Sequence, residues 1–102
     1  MYGVITTVAA PVEMYDGTHA EMIKRAGTSI DGLLVHVGRA TTNGFQTVEV
    51  WESKEDYDRA NTELVFPVMR DLAGDEPDPP IEQSIEDFDV HGLVIPNGNI
   101  LI

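Results

Sequence analysis

Two strand-like runs with a turn signal between them constrain the fold of this chain more than any other feature. The runs are GLLVHVGRA (32–40) and GFQTVEVWE (44–52), and both contain β-branched and aromatic residues that favour strands. The segment TTNG (41–44) joins them, and its Asn-Gly pair is a strong signal for a tight turn between antiparallel strands. The sequence therefore predicts a β-hairpin near the middle of the chain.

Alternation along this hairpin predicts one mixed sheet face and one aliphatic face, because successive side chains of a strand point to opposite faces. A four-residue loop pairs His36 with Glu49 and Leu34 with Trp51, whereas a two-residue turn pairs His36 with Trp51. Both registers place His36, Glu49 and Trp51 on one face, and only a bulge would break this rule. The opposite face carries four valines, which are Val35, Val37, Val48 and Val50.

Four further segments complete the predicted order of elements. Residues 2–10 form a strand, and residues 12–26 have apolar residues at helical spacing up to a glycine. Residues 54–72 form a second helix, and residues 83–94, QSIEDFDVHGLV, form a last strand. The order β-α-β-β-α-β predicts an α+β fold of the ferredoxin-like βαββαβ type, with one antiparallel sheet and both helices on one of its faces.

The second helix carries a start signal and an interior proline. Ser53 is predicted to cap its N-terminus, with Asp56 three residues later in a variant of the capping box. Pro67 should kink the helix or split it near residues 63–66, because proline has no backbone N–H to donate. The apolar stripe of this helix consists of Tyr57, Ala60, Leu64, Val68 and Leu72.

The predicted sheet has apolar residues on both faces, but the helices cover only one of them. A sheet of this kind must bury its second face as well. We therefore predict a homodimer in which the uncovered faces of two copies meet. The acidic loop GDEPDPP (74–80) and the apolar tail IPNGNILI (95–102) are expected to wrap the partner.

Size and charge limit the classes of partner. A chain of 102 residues has room for one small core, so we predict one domain, 1–102. Eighteen acidic residues oppose six basic ones, and a net charge of −12 argues against nucleic acid and against anionic membranes as partners. No apolar run approaches the ~20 residues that span a bilayer, and no basic segment precedes the first apolar stretch. A cytoplasmic location is expected, and the absence of cysteine rules out thiolate metal sites.

His36 and Glu49 are the candidate catalytic residues. A carboxylate beside a half-buried imidazole can turn that imidazole into a general base or acid. The same pair also fits a purely structural role, since buried polar groups normally find partners. Both interpretations stay open at the level of sequence.

Four other residues are predicted to bind a substrate beside this pair: Tyr15, His19, Trp51 and His91. His19 lies one helical turn after Tyr15, and His91 alternates with apolar residues so that it could join the mixed sheet face. A metal site of His36, Glu49 and His91 is chemically conceivable. No histidine spacing typical of a metal motif supports it, and no metal is predicted.

The stretch GFQTVEVWESKEDYDRANTEL (44–64) resembles the antibiotic biosynthesis monooxygenase-like domains of the dimeric α+β barrel superfamily. In those domains the third strand ends in a similar W-x-S before the second helix, and the elements match in order and length over nearly the whole chain. The resemblance implies a homodimer in which the sheets of two subunits pack into a barrel, with a ligand pocket between sheet and helices. It implies activities that range from cofactor-independent oxygenation of phenolic polyketides to cyclisation, isomerisation and haem degradation.

Two positions depart from this family pattern. Ala60 stands where the oxygenase-like and haem-degrading branches often carry a polar or aromatic residue, and Arg70 stands where the haem-degrading branch has a histidine. These two departures argue against haem as a ligand, and no cofactor is predicted.

The function predicted from the sequence is that of a small-molecule-binding barrel protein. As a cofactor-independent monooxygenase it would act on a phenolic or polyketide-like substrate. His36, held by Glu49, would remove a proton, and Tyr15 and Trp51 would form the wall of the pocket. The alternatives are a non-catalytic ligand-binding or structural dimer module, and a polyketide cyclase or isomerase of the same superfamily.

Overall fold

Four long strands form one antiparallel sheet in the order β2-β3-β1-β4 in a computed structural model that describes residues 1–27, 29–74, 81–95 and 99–100. Two helical segments, the second interrupted by a π-helical turn, complete the α+β ferredoxin-like fold that the sequence predicts, so this prediction is confirmed. The elements are β1 (Tyr2–Val8), α1 (Val12–Ala26), β2 (Leu33–Thr41), β3 (Gly44–Trp51), α2 (Lys54–Ala60), the π-helical turn (Asn61–Val65), α3 (Phe66–Ala73), β4 (Gln83–Asp89), β5 (Val94–Ile95) and β6 (Asn99–Ile100).

The β2–β3 hairpin has the register that places His36 directly opposite Glu49. The ladder continues to the pair Thr41–Gly44, so the connecting turn is Thr42-Asn43. The predicted pairing of Leu34 with Trp51 is wrong, because a bulge shifts the register and brings Leu33 opposite Trp51. The bulge lies beyond the His36–Glu49 pair and leaves the predicted faces of that pair unchanged.

The two faces of the sheet differ as the alternation predicts. The helix-covered face carries the side chains of Val4, His36, Glu49 and Trp51, which the registers of β1, β2 and β3 bring to one side. Buried apolar residues pack on this face and against the helices, notably Val4 and Val68, which are 1% and 0% exposed. The opposite face, called the open face below, carries Ile5, Val35, Val37, Val48, Val50 and Phe88.

The second helical segment is split as its proline predicts. Ser53 caps α2 by accepting a hydrogen bond from the backbone N–H of Asp56 at 3.2 Å. The π-helical turn then precedes Pro67, and Phe66 donates its N–H to the carbonyl of Asn61 five residues earlier. The ring of Pro67 leaves no N–H to donate to the preceding turn, and it would clash with a carbonyl of an α-helical turn. The wider π-helical turn accommodates this ring. The predicted stripe is wrong at one end, since Leu72 is 54% exposed.

The last strand is shorter than predicted. Its ladder with β1 ends at the pair Tyr2–Asp89, and β4 ends there rather than at residue 94. Val94–Ile95 instead pairs with Asn99–Ile100 in a separate two-stranded antiparallel sheet. Most of the predicted loop 74–80 and of the predicted tail 95–102 lies outside the described residues. Within the described part of the chain, every helix is too short or too polar to cross a bilayer.

Candidate functional site

The core of the candidate site is the cross-strand pair of His36 on β2 and Glu49 on β3. His36 Nδ1 lies 2.7 Å from Glu49 Oε2, so Nδ1–H donates to the carboxylate. The two side chains are 23% and 18% exposed, which leaves the pair partly shielded from water but not sealed. A short charge-assisted hydrogen bond of this kind fixes both the tautomer and the orientation of the imidazole.

Trp51 holds the second oxygen of the same carboxylate. It lies two residues after Glu49 on the same face of β3, and its indole Nε1–H donates to Glu49 Oε1 at 3.3 Å. The indole is 4% exposed, and its edge packs on the ring of Tyr57 from α2. Because Trp51 is locked in the core, it holds Glu49 in place for His36.

Tyr15 of α1 closes the site from the helix side. Its hydroxyl lies 2.8 Å from His36 Nε2, the ring nitrogen that Glu49 does not engage. The phenol ring lies against Gly38, where a Cβ would overlap the ring atoms, and it is tilted against Phe45 at a centroid distance of 5.6 Å. The missing side chain at Gly38 is therefore what lets Tyr15 reach His36.

His19 lies one turn further along α1 and extends the contact outwards. Its Nδ1 is 3.4 Å from the Tyr15 hydroxyl, and the three rings of Tyr15, His19 and His36 are nearly parallel, with interplanar angles of 19°, 10° and 9°. We call Tyr15, His19, His36, Glu49 and Trp51 the site cluster.

The proton positions in the site cluster follow from its acceptors. Glu49 can only accept when it is ionised, so His36 donates from Nδ1, and a neutral His36 then accepts the Tyr15 hydroxyl at Nε2. Burial raises the pKa of Tyr15 above its ordinary value of 10.0, and the negative charges of Glu49 and Asp16 raise it further. Tyr15 is therefore a neutral phenol at neutral pH and remains available as a donor.

The structure brings together five of the six predicted site residues but not His91. His91 is exposed and follows the end of β4, whereas His36 lies on β2 at the opposite edge of the sheet. The predicted placement of His91 on the mixed face depended on a strand that continues to residue 94, and β4 ends at Asp89. A metal site combining His36 and His91 is therefore excluded. Elsewhere in the described ranges, no group of three or more His, Asp or Glu side chains is arranged to hold a metal ion.

Sequence reasoning did not identify Gly38 and Phe45 as parts of the site. Gly38 is two residues from His36 on the same strand, so alternation places it on the same face. A glycine at such a position was a signal that another element approaches the sheet closely there. Nothing in the sequence indicated that the approaching group is Tyr15.

A groove lies beside the site cluster and not in it. Its volume is about 590 Å³, and it lies between the N-terminal half of α1 and α3. Its lining is mainly apolar and includes Ala10, Met14, Gly17, Met69, Leu72 and Ile81. Neither Tyr15 nor Trp51 lines this groove, although the sequence predicted both as walls of the ligand pocket.

The antiparallel sheet has the order β2-β3-β1-β4, the helices lie on one of its faces, and a partly shielded acid–base pair lies on that covered face. These features define a ferredoxin-like α+β domain with a candidate small-molecule site. Solved structures of the monooxygenase-like type share this fold. A proposed antibiotic biosynthesis monooxygenase from Deinococcus radiodurans superposes with a TM-score of 0.61 at 15% identity over 92% of this chain and 96% of its own. A second, from Nitrosomonas europaea, has a TM-score of 0.58 at 14% identity over 84% and 96%.

The haem-degrader MhuD of Mycobacterium tuberculosis, solved with two haems in its active site, has a TM-score of 0.53 at 18% identity over 89% of this chain and 96% of its own. No protein-family model matches this chain, and no curated protein matches it. At these identities the comparisons establish a shared fold. The resemblance read from residues 44–64 is confirmed at that level.

Proposed function

We propose that this protein binds a small phenolic or polyketide-like molecule and oxygenates it without a cofactor. The observation that carries the proposal is the imidazole of His36, held between the Glu49 carboxylate and the Tyr15 hydroxyl at 2.7 Å and 2.8 Å. Such an arrangement can take up a proton and stabilise the resulting imidazolium, which is the task of a general base.

The proposed reaction needs only a base and dioxygen. A methylene group activated by a neighbouring phenol or carbonyl loses a proton to the His36–Glu49 pair, and the carbanion reduces dioxygen and combines with it to give a hydroperoxide. Loss of water from the hydroperoxide leaves a ketone, so that R₂CH₂ and O₂ become R₂C=O and H₂O. General-base assistance of this kind contributes roughly 10²- to 10⁴-fold to a rate.

Haem does not fit the residues present. The sequence places no histidine on α2, the π-helical turn or α3, and Arg70 occupies the position where the resemblance implies a haem ligand. The ring nitrogens of His36 are engaged by Glu49 and Tyr15. No step of the proposed reaction involves haem.

We also propose that the working form is a homodimer that buries the open face. Val37 and Phe88 on this face are 52% and 39% exposed, and they belong to one apolar surface on the side of the sheet away from the helices. A contiguous apolar patch of this kind is typical of a protein–protein interface. Two copies with facing sheets would bury it.

A non-catalytic ligand-binding module is the second candidate, and the position of the groove favours it. The groove of about 590 Å³ is large enough for a small aromatic molecule, yet its lining does not include His36 or Glu49. A ligand held there would meet methionine and aliphatic side chains rather than a base. A cyclase or isomerase would use the same His36–Glu49 pair without consuming dioxygen.

Oxygen uptake with a panel of anthrones and dihydroxynaphthalenes tests the proposal. We expect oxygen consumption and a ketone or quinone product with the wild type, and a loss of about 100-fold or more in His36→Gln and Glu49→Gln. Glu52→Gln, an exposed carboxylate three residues along the chain, is the matched control and should keep wild-type activity. Product without oxygen uptake would identify a cyclase or isomerase. Tight binding without any product would identify the ligand-binding module.

A further inference from the structure

The hydrogen bonds of the site cluster leave no free acceptor on the imidazole of His36. His36 Nδ1 is engaged by Glu49 at 2.7 Å, and Nε2 is engaged by the Tyr15 hydroxyl at 2.8 Å. The two oxygens of Glu49 are engaged by His36 and by the Trp51 indole. A substrate that approaches His36 therefore meets ring nitrogens whose hydrogen bonds are already made.

The open end of this chain of hydrogen bonds is the Tyr15 oxygen. A phenol has one hydrogen to donate and two lone pairs that accept. The hydrogen goes to His36 Nε2, and the oxygen has a long contact of 3.4 Å with His19 Nδ1. Among the residues that the structure describes, no other hydrogen bond reaches this oxygen, so one lone pair is available to an incoming molecule.

We propose that Tyr15 is the residue that contacts the substrate, and that His36 and Glu49 act on the substrate through the Tyr15 hydroxyl. This inference rests on the proposed function and refines it. The Tyr15 oxygen takes the proton of the substrate while its own proton passes to His36 Nε2. One bond from substrate to hydrogen and the Tyr15 O–H bond break, and a new Tyr15 O–H bond and an Nε2–H bond form. The substrate is left as an anion and His36 as an imidazolium beside Glu49.

The same geometry defines the chemical class of the substrate. A molecule that reaches the Tyr15 oxygen must present an acidic hydrogen, as a phenol, an enol or an activated methylene group does. The rings of Tyr15, His19 and His36 lie nearly parallel, with centroids between 5.3 and 6.0 Å apart. A flat aromatic molecule can pack against the faces of these rings, which favours polycyclic phenols over aliphatic keto acids.

Four variants test the relay on the full-length protein: Tyr15→Phe, His36→Gln, their double variant and Tyr57→Phe. Tyr15→Phe keeps the ring against Gly38 and removes only the hydroxyl. We expect it to lower kcat about 100-fold with little change in KM. The double variant should lose no more than the worse single variant, because residues that act as one unit are not additive. Tyr57→Phe, a phenol that packs on Trp51 outside the relay, should keep wild-type activity.

A binding measurement separates failure of the relay from failure of the oxygenase proposal. The probe is 4-nitrophenol, and its binding is followed by NMR of ring-labelled tyrosine and histidine. We expect the probe to shift the Tyr15 and His19 resonances, and we expect Tyr15→Phe to weaken its affinity about fivefold or more while Tyr57→Phe does not. Binding at Tyr15 without oxygen uptake on any substrate would leave Tyr15 as the contact residue and reject the oxygenase.

The opposite pattern would overturn the inference and leave the proposed function intact. It consists of oxygen uptake that falls in His36→Gln but stays within about threefold of the wild type in Tyr15→Phe. His36 would then contact the substrate directly, and Tyr15 would only support the ring. A 4-nitrophenol probe that shifts neither Tyr15 nor His19 would also reject the inference.

Discussion

The two faces of the sheet carry residues of the same strands but differ in polarity and in exposure to solvent. On the helix-covered face, the polar groups of the site cluster are partly shielded from water and are hydrogen-bonded to one another, as in the contacts of Glu49 with His36 and Trp51. On the open face, aliphatic side chains such as Val37 remain exposed to solvent. One strand of the hairpin contributes alternately to both, because β2 presents His36 to one side and Val37 to the other.

The two faces differ in what they contribute to stability, which is hydrogen bonding on the covered face and apolar burial on the open face. The covered face gains little from burial of its polar cluster and instead gains a defined geometry, since enclosed polar groups are costly unless they are satisfied. The open face has unused apolar area, and covering it would contribute about 25 cal/mol per Å². Substitutions on the open face should therefore alter assembly, whereas substitutions on the covered face should alter stability and chemistry.

The largest effect is expected from a charge on the open face. Val37→Glu should place like charges near each other across a homodimer and weaken the dimer by several kcal/mol, or about 1000-fold in the dissociation constant. Light scattering after size-exclusion chromatography measures the change. Ile23→Glu is the matched control, because Ile23 is 50% exposed on α1, away from the open face. A wild-type protein that is monomeric at micromolar concentration would contradict the proposed homodimer.

Removal of the carboxylate on the covered face should have the next largest effect. Glu49→Ala leaves His36 Nδ1–H and Trp51 Nε1–H without their acceptor, and we expect a loss of about 2–3 kcal/mol in the free energy of unfolding. Urea denaturation followed by tryptophan fluorescence measures this loss. Glu52→Ala, an exposed residue just beyond β3, should change the stability by less than about 0.5 kcal/mol. Equal effects of the two substitutions would mean that the His36–Glu49 pair contributes no more to the free energy of unfolding than a surface carboxylate does.

Two glycines should respond to alanine with opposite signs. Gly38→Ala puts a methyl group where the Tyr15 ring lies, and it should destabilise the protein by about 1–3 kcal/mol. Gly17→Ala on α1 meets open space, and it should stabilise the protein by about 0.5–1 kcal/mol because alanine favours the helix. Thermal denaturation of both variants provides the comparison. If Gly38→Ala proved neutral, Tyr15 could not lie flat against β2 as described.

The smallest effect is expected from Tyr2, at the edge of the covered face, on the stability of the protein at high pH. Burial and the hydrogen bond to Asp87 raise the pKa of Tyr2 from 10.0 to about 12. The folded protein therefore holds this proton more tightly than the unfolded chain. The contribution of Tyr2 to stability is complete below pH 10 and declines as the pH rises from 10 to 12. Urea denaturation at a series of alkaline pH values should show this decline in the wild type and a weaker decline in Tyr2→Phe.

Alternation and turn chemistry predicted the order of elements, the hairpin and the shared face of His36, Glu49 and Trp51. They left two registers open, and the structure has the one that pairs His36 with Glu49. These features depend on local periodicity, and a period of two allows few alternatives once one face must be buried. The proline-induced interruption of the second helix was predictable for the same reason, since the missing N–H of Pro67 is a property of the residue itself.

The features that could not be predicted depend on contacts between distant elements. The bulge beside Leu33 and the early end of β4 are set by how strands align with their neighbours, and the placement of His91 depended on that end. The hydrogen bond of Tyr15 to His36 depends on how α1 is rotated about its own axis. Helical spacing specifies which residues share a face but not which strand residue each of them meets.

The π-helical turn gives the second helical segment one place where a change in length can be absorbed. Each N–H of such a turn reaches a carbonyl five residues earlier, as Phe66 does to Asn61, so the turn holds about one residue more than an α-helical turn. Removing one residue from Asn61–Val65 would let the segment close as an ordinary α-helix with α3 in nearly the same orientation, so Val68 would stay buried and the ion pair between Arg25 and Asp71 at 2.9 Å would be kept. Related sequences without a proline at this point are expected to be one residue shorter in this segment.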